Sequence, residues 1–195
     1  YFISVLTKRV GVKAIIVMYN SKWVRANPSV HGFVFEWDIF AQVQTQNFLE
    51  VYDMNQQKTR WYVDTTVSLH DFVAKGVTTN RMMVQPEKWN YPEYDGLYVV
   101  RDEQQRNHLI AWNASEAVSH SGNVNKLAVL LQQLAMKDES CISFSTVRFV
   151  FLVPKKNLAK FEMPSPTVTL QAKQILSCGD RGFERFEVLG ANPSK

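Results

Sequence analysis

Residues 91–115 read YPEYDGLYVV, RDEQQRN and HLIAWNAS, two apolar runs joined by a polar, charged connection. Aromatic and β-branched residues fill both runs, so the stretch predicts two short strands, Tyr94 to Val100 and His108 to Trp112, paired as a hairpin over an exposed loop. A carboxylate, Asp95, stands where the first strand opens, followed at once by Gly96. The second strand passes through Ala111-Trp112-Asn113.

Outward from this hairpin the chain alternates between the two periodicities. On the C-terminal side Val124 to Lys137 (VNKLAVLLQQLAMK) is rich in good helix formers. Its stripe of Val124, Leu127, Ala128, Leu131, Leu134 and Ala135 is expected to lie on a sheet. Thr146 to Val153 (TVRFVFLV) is apolar throughout, the pattern of a strand covered on both faces, and Pro154 ends it. Asn157 to Met163 reads as a short helix, and FERFEVLG alternates as a late strand before a loose ANPSK tail. On the N-terminal side Asn27-Pro28-Ser29 signals a helix start, after which Val30, Phe33, Val34, Trp37, Phe40, Ala41 and Gln44 recur at three-and-four spacing. This predicts a helix to about Asn47, with Glu36 flanking its apolar stripe. Phe33, Trp37 and Phe40 are expected to share one core with Thr146 to Val153. Val12 to Tyr19 reads as a weak helix. FLEVYD, RWYVDTTVSL and RMMVQ read as strands, with a polar turn at Asn55 to Lys58.

Composition bounds the rest. A chain of 195 residues with 46% hydrophobic content suffices for one sizeable core and is short for two, so one domain is expected. We divide it into residues 1–26 as an N-terminal extension, 27–163 as the core, and 164–195 as a C-terminal strand extension and tail. The formal charge is +4, with no dense basic cluster beyond Lys155-Lys156 and the Lys22/Arg25 region. The two cysteines, Cys141 and Cys178, lack zinc-site spacing, and the four histidines are dispersed, which argues against a histidine metal centre and favours a reducing destination. No apolar run approaches the roughly 20 residues of a membrane helix. Tyr1 opens the chain without a methionine, so a processed form or a piece of a longer chain is expected.

The order helix, strands, strand with Asp95, strand with Asn113, helix, buried strand resembles the α-β-β-β-α-β core of PD-(D/E)xK, restriction-endonuclease-like domains. More narrowly, NPSVHGFVFEWDIF, YDGLYVV with LIAWNAS, and FVFLVPKKNLAKF resemble the C-terminal domain shared by crinkler effectors of oomycetes and fungi and the retrotransposon hot spot proteins of trypanosomes. The resemblance covers about Asn27 to Phe161. It implies an α/β fold, a single domain with a mixed central sheet flanked by helices. Carried over by position, it makes Glu36 the helix-borne acid and Asp95 the metal-binding acid that opens a strand. Ala111 and Asn113 then stand where a second acid and a lysine belong. In active members of such a family carboxylates bind Mg²⁺ and a lysine helps orient the attacking water. Alanine has no oxygen to offer and asparagine no charge, so no substantial Mg²⁺-dependent cleavage is expected. Rescue would need Glu93 or Glu116 at the metal and Lys126 as the ammonium.

The resemblance implies a secreted effector-type domain, delivered to a host cell and acting in its nucleus by binding DNA or a host protein. An active Mg²⁺ nuclease with a rearranged site, and a protein-interaction subunit without nucleic acid, are the alternatives; self-association stays open, and no membrane partner is expected. Lys88, Arg101, Arg106 and Lys126 are the cations placed around the hairpin and the following helix. Sharing a face, they would give weak, salt-sensitive binding, no tighter than on the order of micromolar at physiological salt, because Glu87, Glu93, Asp102, Glu103 and Glu116 lie among them. Trp89, with Tyr91, Trp61, Tyr62 and Trp112, either stacks on bases, anchors a partner or fills the core.

Overall fold

In the computed structural model, residues 14, 17–18, 20–87, 94–120, 124–136, 144–164 and 186–192 are described. The first long element shows how local chemistry sets the frame. Asn27 caps it, its side chain accepting from Val30 N, and Pro28 opens the first turn, where a missing N–H costs nothing. At the other end Asn47 takes the left-handed conformation, φ 58°, that stops the helix. Short α1 (Lys22–Ala26) therefore leads directly into α2 (Pro28–Gln46).

The strands that follow are β1 (Phe48–Tyr52), β2 (Lys58–Tyr62) and β3 (Thr65–Ser68), then α3 (Leu69–Lys75), β4 (Arg81–Gln85), β5 (Gly96–Arg101) and β6 (Asn107–Ala114). After them come α4 (Asn125–Met136), β7 (Phe144–Pro154), a 3-10 turn (Lys155–Lys160) and β8 (Phe186–Ala191). They form one α/β domain on a mixed eight-stranded sheet of order β2-β1-β8-β7-β6-β5-β4-β3. β4, β5 and β6 are an antiparallel meander; α4 then carries the chain over so that β7 runs parallel to β6, and β8 parallel to β7. The late strand thus lies inside the sheet, between β7 and β1.

Both hairpins turn alike. Asp53 and Asp102 each accept, through Oδ1, the N–H of the residue four later, at 2.8 Å. Gln56 and Gln105 supply the positive φ, 63° and 62°, that the fourth position needs.

The sheet is covered on both faces, as the apolar run in β7 predicts. Leu97, Val99, Leu109, Ala111, Phe149 and Phe151 face Phe72 of α3, Leu127 and Leu134 of α4, and Val124 just before α4. Tyr98, Ile110, Trp112, Val150 and Leu152 face Val34, Phe35, Ile39 and Phe40 of α2. The buried face of α2 differs from the stripe its spacing predicts. Phe33 is 37% exposed and Gln44 is exposed, whereas Phe35, Ile39 and Val43 are buried. Nearly every residue from Val34 to Val43 is enclosed, so spacing alone marks no unique face. α2 also meets the Val150 and Leu152 side of β7, with Phe149 and Phe151 on the opposite face. The run RWYVDTTVSL is likewise two strands, and LHDFVAK forms a helix, α3, between Ser68 as cap and Gly76.

A candidate carboxylate site

Asp95 sits where β5 begins. Its N–H donates to Trp112 O at 2.9 Å, and its Oδ2 accepts from Ala114 N at 2.7 Å, so one residue ties the end of β6 through both main chain and side chain. Gly96 follows because nothing larger fits: a Cβ there would lie 2.4 Å from Cζ2 of Trp112. The indole lies across that gap, fully buried, 5.1 Å from the Phe40 ring and with Nε1 donating to Met83 Sδ at 3.4 Å. Glu36 is four residues before Phe40, one helical turn toward the end of β6, and is 6% exposed.

Glu36 and Asp95 thereby come within electrostatic reach of each other. Burial pushes the Glu36 carboxyl well above its ordinary range, and the Asp95 charge pushes it further. Burial lifts Asp95 to about 7, against the opposing pull of the Ala114 N–H. Both carboxyls therefore resist ionisation more than two exposed carboxylates would. Glu36, which flanks the apolar stripe in sequence, is thus enclosed rather than set in water.

The remaining positions fall out differently. Ala111 is fully buried in the α4-side core. Asn113 is 7% exposed, and its Oδ1 has no hydrogen-bond partner among the described residues. In the ladder it is the residue after Trp112, across from Asp95, since Gly96 pairs with Trp112. Glu116 lies near the same sheet end and faces His31 of α2, Oε1 to Nε2 at 3.6 Å. Lys126 is exposed in the first turn of α4. Gln85, at the end of β4, adds a second buried amide whose Nε2 has no partner among the described residues.

The arginines expected around Asp95 are elsewhere. Arg101 closes β5, six residues or about 20 Å along the strand, and donates to Asn107 Oδ1 and Val77 O. Arg106 lies in the turn, bound to Asp102 at 2.8 Å. They do not share a cleft with Asp95. Lys88, Trp89, Tyr91 and Glu93 lie outside the described residues. Trp112 belongs to the core, as does Trp61, which stacks on Tyr98 at 5.2 Å; Tyr62 is 46% exposed.

A Mg²⁺ centre of the restriction-endonuclease kind needs more oxygen donors than this. Among the described residues no group of three His, Cys, Asp or Glu side chains could hold a metal. Ala111 offers no oxygen, so the described residues do not by themselves supply the donor set of a catalytic magnesium site. Among the same residues, no helix is long and apolar enough to cross a membrane. His31 and Gln85 escaped the sequence reading because neither carries a local signal: each reaches the site only through α2 packing or sheet order. No family model, curated protein or solved structure matches the chain.

Proposed function

We propose that the chain is an effector-type binding domain on a degenerate restriction-endonuclease-like scaffold, of the crinkler and retrotransposon hot spot kind. It acts after delivery into a host cell, in the nucleus, without cutting DNA. The observation that carries this reading is the pairing of Glu36 with Asp95 at the mouth of a three-stranded meander, next to a buried Ala111 and an uncharged Asn113. The meander β4-β5-β6, the α4 crossover and the parallel β7 support this reading, with β1, β2, β3 and α3 standing between α2 and the meander. Two acids in that order, with the other two positions replaced, is the pattern expected where scaffold persists and catalysis does not.

Of the two partner classes, a host protein has the better support. Arg101 and Arg106 are spent on intramolecular contacts far from Asp95, so no phosphate track runs past the acid pair on their account. One observation favours the active Mg²⁺ nuclease as a second reading: Glu36 is buried within electrostatic reach of Asp95, and a cation would relieve the cost of ionising both.

Incubation of labelled duplex with the protein, with and without Mg²⁺ and across a salt series, separates these readings. The expected result is uncut duplex with undetectable or salt-insensitive association, beside a stable complex with a host nuclear protein. Mg²⁺-dependent cleavage that disappears in Asp95→Ala would establish the nuclease instead. Association that falls steeply with salt would restore DNA as the partner.

A further inference from the structure

The turn end of the β5–β6 hairpin holds an unbroken hydrogen-bonded row that takes no part in the carboxylate site. Asp102 Oδ2 lies 3.0 Å from His108 Nε2, and His108 Nδ1 lies 2.9 Å from Thr146 Oγ1. Sheet register builds it: His108 and Thr146 are direct partners across β6 and β7, beside a register shift at Asn107/His108. The carboxylate is itself fixed, Oδ1 by Arg106 N and Oδ2 by Arg106 Nε, both at 2.8 Å. With His108 first and Arg106 after it, these contacts hold Asp102 far below the usual carboxylate range. An ionised carboxylate only accepts hydrogen bonds. A neutral His108 therefore carries its proton on Nε2 and presents a lone pair at Nδ1, to which the Thr146 hydroxyl donates. That is the relation of a nucleophile to a base oriented by a third group. The row is also reachable, with the Asp102 and His108 side chains 21% and 26% exposed and Thr146 half-buried.

We infer that Thr146 is an acyl-acceptor site, modified by activated esters of small carboxylic acids with His108 as its base and Asp102 as the residue that positions His108. Thr146 Oγ1 forms a bond to the acyl carbon while the ester C–O bond breaks. The hydroxyl proton passes to His108 Nδ1 and from there to the departing oxygen. The products are an acyl-threonine and the free alcohol, with nothing oxidised or reduced.

The probe is p-nitrophenyl acetate, added to the full chain, with nitrophenolate release followed in time and the acetyl group located by peptide mass spectrometry. Acetyl on Thr146 is expected, kept in Thr146→Ser and lost in Thr146→Val. His108→Gln should slow labelling of Thr146 on the order of a hundredfold, the range of a general base. Should His108→Gln not fold, Asp102→Asn carries the test, since it replaces the charged, acceptor-only carboxylate with a neutral amide that can also donate to His108 Nε2, so the tautomer is no longer fixed and labelling should slow. Acetyl found only on lysines, or labelling of Thr146 at the same rate in a folded His108→Gln or Asp102→Asn protein, would overturn the inference.

Discussion

Asp95 and Asp102 open and close the same strand region, yet their carboxyls are driven in opposite directions. Asp95 is pushed up to about 7 by burial, with one backbone N–H in opposition. Asp102 stands at the surface and is held down by His108 and Arg106. The residue type is the same and the separation is a strand's length; what differs is whether the charge meets partners or loses water. At one end of the hairpin the protein builds a site that resists ionisation. At the other it builds a charged turn.

The largest change expected from breaking this contrast is at Trp112, whose indole walls off the Asp95 end against Phe40 and Met83. Trp112→Ala should cost about 4 kcal/mol of unfolding free energy, read from urea denaturation, as removal of a buried aromatic does. A cost under about 1 kcal/mol would mean that the indole is not the wall described. Gly96→Ala comes next, at about 2 kcal/mol, because its Cβ would drive into the same ring. Loss of that penalty when Trp112→Leu is added would locate the clash.

The pH dependence is smaller and has a definite sign. A carboxyl whose folded value is raised binds more protons in the native state than in the unfolded chain. The contribution of Asp95 to stability is therefore fully present below the ordinary Asp value of 3.8 and is lost as pH rises through about 7. Asp95→Asn keeps an oxygen for the Ala114 N–H and removes the ionisation, so its stability curve should be flatter over that window. An unchanged slope would show that Asp95 titrates as an exposed acid. Asp102→Asn should have the smallest effect. Its contribution has the opposite sign, present above 3.8 and lost as pH falls through the lower folded value, and it should fade in strong salt because the group is exposed.

Much of the frame was legible from sequence because the informative segments carry only one reading. The hairpin around RDEQQRN, the helix at Leu127 and Leu134, and the strand through Phe149 and Phe151 each combine strong pattern with strong punctuation. α2 was found by its cap, but its buried face was misjudged because enclosure on several sides erases the contrast that spacing depends on. α3 was missed because LHDFVAK is too short to show a period, although Ser68 three before Asp71 and Gly76 mark its ends. The central place of β8 could not be read at all: a strand's neighbours are set by chain path, and FERFEVLG looks the same at an edge or in the middle. For the candidate site, Glu36 and Asp95 were reachable through resemblance. Asn113 was named for the lysine it replaces, while its orphaned oxygen became visible only in three dimensions. Arg101 and Arg106 looked close to Asp95 in sequence, but a strand separates them.

The central claim is that Glu36 and Asp95 form one buried, mutually felt pair. Carbon-13 carboxyl titration of Glu36 in the wild-type protein and in Asp95→Asn tests it most directly. The account expects Glu36 to titrate well above its ordinary range in the wild type, and to move down, while staying raised by burial, once the Asp95 charge is removed. A Glu36 carboxyl that titrates in the ordinary glutamate range, or that is indifferent to Asp95→Asn, would contradict it.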